Sequence, residues 1–294
     1  MSSAPWTIGR LLQWTAGFLK ERGSESPRLE AEVLLAHALG CKRIELYTRF
    51  EEEPSEAVRA DYRGLVKQRS EGKPVAYLVG RREFYSLDFA VSPAVLVPRP
   101  ETEFLVVALL DAAKGRTPSA RPEGWTVADV GTGSGILAVV AALKLPGSHV
   151  TAVDRSPAAL DVARANAAAH RVADRIEFVE SDLFAQVEPG RRFDFIVSNP
   201  PYVATAEMDE LPRDVRDFEP REALEAGPRG TEVIERLIPQ AAERLVPGGG
   251  LYVEHSPHLR EAVNRLLAES GKFDVLPTIE DHGRRPRIAA ARRR

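Results

Sequence analysis

The chain has 294 residues, 44% hydrophobic and 28% charged, more than one average domain of about 150 residues and fewer than three. Its 40 Lys and Arg against 43 Asp and Glu leave a net charge of −3, which argues against a surface built mainly to bind polyanions. A single cysteine, Cys41, excludes an intramolecular disulfide and a zinc site with several sulfur ligands, and it fits a reducing cytoplasm.

The charge is unevenly spread. Residues 1–90 carry 14 basic and 13 acidic side chains, residues 91–283 carry 20 and 30, and residues 284–294 carry six arginines and no acid. The first thirty residues are interrupted by Lys20, Glu21 and Arg22 before an apolar run reaches the roughly 18 residues of a membrane span. They lack a basic start with a small-residue cleavage site, so they read as mature structure with no membrane partner.

The N-terminal third reads as helices. Ser26-Pro27 supplies a cap and a first-turn proline, Leu29, Val33, Leu34 and Ala38 share a face, and Gly40 suits the stop. A second helix runs from Glu56 to Gly72, with Val58, Tyr62, Leu65 and Val66 at helical spacing and Pro74 beyond. Trp6 and Trp14 are expected in the core of this small bundle. Between Gly80 and Arg99 the apolar residues Phe84, Leu87, Phe89, Val91, Val95 and Val97 predict a hairpin or extended linker, stiffened by Pro98 and Pro100. A helix is expected over 101–113 and a loop over 115–124.

After Trp125, strands alternate with helices. Strands are predicted to end at Val130, Asp154, Glu180, Ser198 and His255, with helices over 134–145, 157–169 and 231–245. The order predicts a doubly wound α/β domain, whose ligands bind beyond the carboxyl ends of the strands.

Those ends carry the chemistry. Gly131-Thr132-Gly133-Ser134-Gly135 has the spacing G-x-G-x-G, whereas a dinucleotide fingerprint has its third glycine one residue later, where this chain has Ile136. The second strand ends in Asp154, which can accept both hydrogen bonds of a ribose diol. After the third strand, Asp182 can accept from an adenine amino group and Leu183 can cover the ring. Each feature alone is weak; a tight turn or a solvated aspartate explains it equally well. Together they favour an adenosine ligand, and the glycine spacing favours S-adenosylmethionine over NAD. The fourth strand ends in Asn199-Pro200-Pro201-Tyr202, the strongest signal. The Asn199 side-chain oxygen and the Pro200 carbonyl can both accept from one planar NH₂ group, and Tyr202 can pack on its flat face.

With the glycine loop and the acids, NPPY (199–202) resembles the S-adenosylmethionine-dependent amino-methyltransferases. PRLEAEVLLAHALG (27–40), REFYSLDFAVSPAVLVPRPETE (82–103) and DVRDFEPREAL (214–224) narrow the resemblance to the protein-(glutamine-N5) methyltransferases of peptide chain release factors, the HemK/PrmC family. The likeness runs from about Pro27 to the C-terminal strand.

It implies an α/β fold: a Rossmann-like methyltransferase sheet over 101–294, joined by a hairpin or linker over 81–100 to a helical substrate-recognition domain over 1–80. It also implies methyl transfer from S-adenosylmethionine to the side-chain amide nitrogen of the glutamine in the Gly-Gly-Gln motif of class I release factors. By position, Gly131 to Gly135 would line the methionine end of the cofactor, Asp154 the ribose, and Asp182 with Leu183 the adenine. Asn199, Pro200, Pro201 and Tyr202 would hold the substrate amide, while Phe84, Pro98, Arg99, Pro100, Glu101 and Thr102 would wall the pocket. The chain departs from the family at Leu183, where a bulky aromatic is frequent, and at His255, where a glycine commonly follows the acid.

The competing reading is a nucleic-acid amino-methyltransferase of the N6-adenine type acting on a flipped base, which uses the same NPPY logic. The acidic balance of residues 91–283 speaks against it, and the terminal arginines read better as a final strand. A silent cofactor-binding module would leave Asn199 and Tyr202 without a purpose. The six histidines make no persuasive metal set, because Pro257 breaks the spacing of His255 and His258.

Overall fold

A computed structural model describes residues 5–121 and 123–294. It divides into two units, one running to Arg81 and including Pro212–Phe218, the other comprising Arg82–Leu211 and Glu219–Arg294.

The first unit holds α1 (Ile8–Lys20), α2 (Pro27–Leu39), α3 (Glu45–Thr48), α4 (Glu56–Ser70) and α5 (Val75–Val79). Side-chain caps start α1 and α4: the Thr7 hydroxyl accepts from the Arg10 amide and the Ser55 hydroxyl from the Val58 amide. Gly40 ends α2 with φ 63°, a left-handed stop that costs a glycine little. Ile8, Leu12, Leu34, Leu35, Leu46 and Tyr62 form the core. The buried Glu32 is met by Arg28 at 2.7 Å, Arg43 at 3.0 Å and the Tyr47 hydroxyl.

Two expectations fail here. Leu29 is 44% exposed, because α2 turns Ala31, Leu34 and Leu35 inward instead. Trp14 is 52% exposed and stacks on Phe18 one turn later, 5.0 Å between ring centres.

In the second unit, β1 (Arg81–Phe84) and β2 (Leu87–Ala90) make the hairpin. Tyr85 and Ser86 both have positive φ, at 51° and 60°, as a two-residue turn of type I′ requires. A 3₁₀ turn at Pro100–Thr102 leads into α6 (Glu103–Ala113). Then come β3 (Thr126–Val130), α7 (Ile136–Lys144), β4 (His149–Asp154), α8 (Pro157–Ala169), β5 (Ile176–Glu180), β6 (Phe193–Ser198) and β7 (Val203–Ala204). The short α9 (Arg213–Phe218) groups with the first unit, so the chain leaves the α/β unit and returns. It continues as β8 (Glu225–Gly227), α10 (Glu232–Arg244), β9 (Leu245–Glu254), α11 (Arg260–Glu269), β10 (Phe273–Val275), β11 (Ile279–Glu280) and β12 (Pro286–Arg293).

The main sheet has the order β10-β12-β9-β6-β3-β4-β5, with β11 beside β12. The five strands from β9 to β5 are parallel, and β12 and β10 add antiparallel edges. Strand periodicity splits the core into two layers. Val127 faces the layer built with α6, α7 and α8, while Ala128 and Val130 face the layer built with α10 and α11. The arginine-rich end is β12. Arg287 bonds Asp281 at 2.9 Å, and Arg293 donates to the Ala242 carbonyl at 2.7 Å.

Candidate active site

A parallel sheet of this order leaves a crevice at its carboxyl edge, and a cleft lies there. It is lined by Gly131, Thr132, Gly133 and Ser134 after β3, Asp154 at the end of β4, Asp182 and Leu183 after β5, and Asn199, Pro200 and Pro201 after β6. Pro98, Arg99 and Thr102 line it as well. Most of the residues singled out in the sequence thus meet in one place.

The glycine loop and Asp154 hold each other. One Asp154 oxygen accepts from the Gly133 amide at 2.8 Å and the other from the Ser156 amide at 3.0 Å. Burial pushes the Asp154 pKa up, and those two amides restrain the rise. Each oxygen keeps a lone pair for a further donor. Asp182 accepts from Arg236 through one oxygen, leaving the other open. Leu183 stands at φ 52°, 7% exposed, on the cleft wall. Acceptors at two strand ends with an apolar wall beside them suit the hydroxyls, amino group and flat ring of an adenosine.

On the other side, the Asn199 NH₂ group donates to the Thr102 hydroxyl at 3.2 Å. Thr102 is 1% exposed. The linker is fixed by Glu219, which accepts from the Val97 amide at 3.1 Å and from the Arg99 guanidinium at 2.5 Å.

Several expected residues lie elsewhere. Gly135 caps α7 with φ 80°, and a Cβ there would stand 2.9 Å from the Ala163 Cβ. Its glycine is required by the approach of α7 to α8, not by the cleft. Phe84 is 2% exposed in the core, edge-on to Phe89 with 6.2 Å between ring centres; a wholly apolar ring gains most there. Pro100 and Glu101 are also absent from the lining, and Glu101 pairs with Arg287 at 3.3 Å. Tyr202 packs its ring against the α10–α11 layer and donates its hydroxyl to Glu254 at 3.4 Å. A phenol half-buried in this way gains from such an acceptor, and Tyr202 is not among the residues that line the cleft.

Two important carboxyls went unassigned in the sequence. Asp129, the last residue but one of β3, accepts from the Thr132 hydroxyl at 2.6 Å and the Ala138 amide at 3.0 Å, clamping the loop to α7. Burial pushes its pKa up to about 7. Its signal was an acid directly ahead of the glycine loop. Glu254 ends β9, 2% exposed, with its pKa pushed up to about 7, chiefly by burial. Its signal, an acid at a strand end, could not reveal its partners.

The chain matches two family models: the PrmC N-terminal domain over residues 10–80 and the methyltransferase small domain over residues 104–212. It is 51% identical over 287 residues to the release factor glutamine methyltransferase of Rhodopirellula baltica, covering 98% of this chain and 96% of that protein. With the enzyme of the same name from Koribacter versatilis it shares 44% over 275 residues, 94% of each chain. Among solved structures, the catalytic domain of hMettl16 superposes with a TM-score of 0.57 at 18% identity, over 78% of this chain and 81% of that one. The 16S rRNA methyltransferase RsmC of T. Thermophilus gives 0.52 at 22% identity, over 73% and 50%. At such identities these two likenesses speak for the fold alone: a Rossmann-like methyltransferase sheet, as expected.

Proposed function

The chain belongs to the release factor glutamine methyltransferase family, and on that footing we propose that it methylates the side-chain amide nitrogen of the Gly-Gly-Gln glutamine in class I release factors, using S-adenosylmethionine. The observation that carries this reading is the meeting of Asp154, Asp182 and Asn199-Pro200-Pro201 in one cleft. Translation factors work in the cytoplasm, which is the compartment we assign. Among the described residues no helix is long and apolar enough to cross a membrane.

In this reading Gly131, Thr132, Gly133 and Ser134 hold the methionine end of the cofactor, Asp154 the ribose diol, and Asp182 with Leu183 the adenine. When bound, the cofactor supplies a methyl group on a sulfonium, an electrophile that needs no metal. Asn199 and Pro200 supply the rest. An amide nitrogen is a poor nucleophile because its lone pair is delocalised into the carbonyl. Accepting both NH₂ hydrogens, on the Asn199 side-chain oxygen and the Pro200 carbonyl, raises electron density on nitrogen and aims it at the methyl. Orientation of this kind is worth roughly 7–11 kcal/mol in favourable cases. The methylated amide is acidic enough to release its extra proton to water, so no strong base is required at the motif. Tyr202 braces the motif through its hydrogen bond to Glu254.

The test is incubation with methyl-labelled cofactor and a purified release factor, followed by peptide mapping. Label on the glutamine of the Gly-Gly-Gln peptide is expected. Label found only on nucleic acid would transfer the enzyme to the base-modifying class.

A further inference from the structure

An asparagine side chain ends in the same planar amide as a peptide unit, so it can pair with a backbone segment as a neighbouring strand would and still reach a second segment. Asn166, on the buried face of α8, does both. Its oxygen accepts from the Ala90 amide at 2.8 Å, and its NH₂ group donates to the Ala90 carbonyl at 3.0 Å and to the Ser134 carbonyl at 2.8 Å. Both hydrogens and the oxygen are used. The residue is 2% exposed, so these bonds are made away from bulk water.

Both partners lead into the cleft. Ser134 lines it directly, while Ala90 ends β2 and runs on to Ala94, Val95, Leu96, Pro98 and Arg99, which line it too. The glycine loop has other bonds, from its neighbours at the sheet edge: the Gly131 and Thr132 amides donate to the Val153 carbonyl at 2.8 and 2.9 Å, and the Gly133 amide to Asp154. Asn166 instead ties the loop to the hairpin that precedes the sheet in the chain.

We infer that Asn166 is a positioning residue that fixes the glycine loop against the linker, and so sets the spacing between the bound methyl donor and the substrate side of the cleft. The inference rests on the reading that this loop holds the methionine end of the cofactor and that Pro98 and Arg99 wall the substrate pocket.

The residue type follows from the hydrogens. Two carbonyls converge on the NH₂ end, so the amide cannot be reversed without setting its oxygen against both of them. An aspartate would do the same with a negative charge. Alanine would leave the Ala90 amide and both carbonyls without this partner, and a buried polar group left unpaired is costly. Methyl transfer in line with sulfur demands alignment, and a misplacement of about 1 Å can cost about 10²-fold in rate. Because Asn166 joins the two sides of the cleft, its loss should lower both cofactor affinity and turnover.

His170, just beyond the end of α8, supplies the control. Its Nε2 donates to the Asp88 carbonyl at 2.8 Å, and its ring packs on Phe89 with 4.9 Å between ring centres. It grips the same hairpin from the same helix, but its bond goes to the hairpin and not to the loop.

The experiment compares Asn166→Ala, Asn166→Ser, His170→Ala and Asp154→Ala with the parent enzyme. Each is measured for cofactor Kd by calorimetry, for single-turnover methyl transfer to a purified release factor at saturating cofactor, and for thermal midpoint. Asn166→Ala should raise cofactor Kd about tenfold and slow the single turnover about tenfold or more. Asn166→Ser, which keeps one donor, should fall between Asn166→Ala and the parent, and it carries the test if the alanine variant does not fold. His170→Ala should lower the thermal midpoint while staying within about twofold of the parent in Kd and rate.

Parent-like Kd and rate in the Asn166 variants overturn the inference. So do losses in His170→Ala as large as theirs, since Asn166 would then serve only to hold the hairpin. Asp154→Ala separates the two levels. Weakened cofactor binding there, with parent-like Asn166 variants, removes the positioning role alone. Unchanged cofactor binding in Asp154→Ala removes the assignment of the cofactor to this loop.

Discussion

Each half of the cleft is backed by one buried carboxyl, and the two are supplied differently. Behind the glycine loop, Asp129 takes its donors from Thr132 and Ala138, three and nine residues further on. Behind the Asn199 half, Glu254 takes Tyr202 from 52 residues earlier, and Asn199 itself donates to Thr102, which belongs to the turn before α6. The first arrangement is complete once β3 runs into α7. The second exists only when three distant segments have come together. A local turn is robust and serves many chemistries, whereas an assembled site can be particular about one planar group. Damage to the glycine-loop half should therefore cost cofactor affinity, and damage to the other half should cost turnover.

The largest expected effect lies on the assembled side. Asn199→Ala removes an acceptor that we assign to the transition state, so kcat should fall by about 10²-fold or more, with cofactor Kd changed by no more than about threefold. Single-turnover methyl transfer and calorimetric cofactor titration would measure both. Equal losses in affinity and turnover would erase the distinction between the two halves. On the local side, Asp154→Ala removes the acceptor assigned to the ribose and releases the Gly133 amide. Cofactor Kd should rise about 10- to 100-fold, since hydrogen bonds to a charged group are the strong ones. Most of kcat should return at saturating cofactor; a kcat that stays low there would place Asp154 in the chemistry.

The same contrast explains what could be read from the sequence. The glycine loop, Asp154 and Asp182 each lie at or just beyond the end of a strand, so the alternation of strands and helices was enough to bring them to one edge. NPPY declared itself by residue type. The partners of NPPY had no such signal, because nothing near Thr102 or Glu254 in the sequence says that they meet Asn199 and Tyr202. Tyr202 is the example: the acceptor of its hydroxyl, Glu254, lies 52 residues further on. Phe84 and Gly135 were misjudged in the opposite way. Their neighbours in sequence belong to the site, but a buried ring and a close helix approach decide their places. Trp14 shows the limit of periodicity, since a helix can present a large aromatic outward when Phe18 lies one turn away to stack on.

The smallest expected effect concerns how the buried carboxyls respond to pH. In the helical unit, burial works against the charge on Glu32, but Tyr47, Arg28 and Arg43 outweigh it and hold its pKa below the usual value. Its stabilisation is present above the unfolded pKa near 4.5 and is lost as pH falls through the lower folded value. Asp129 and Glu254 have no cation bonded to them. Burial raises their folded pKa values from 3.8 and 4.5 to about 7, so the folded state holds protons that the unfolded chain gives up. Their contribution is greatest below the unfolded values and declines as pH rises toward 7 and just beyond. Between pH 6 and 8 each should cost the α/β unit about 1 kcal/mol. Asp129→Asn removes the titrating group while keeping an acceptor for Thr132 and Ala138. Urea midpoints at pH 6 and pH 8 should lie closer together in that variant than in the parent. An unchanged spacing would mean that Asp129 does not titrate in this range, and the two halves of the cleft would then differ in electrostatics as well as in assembly.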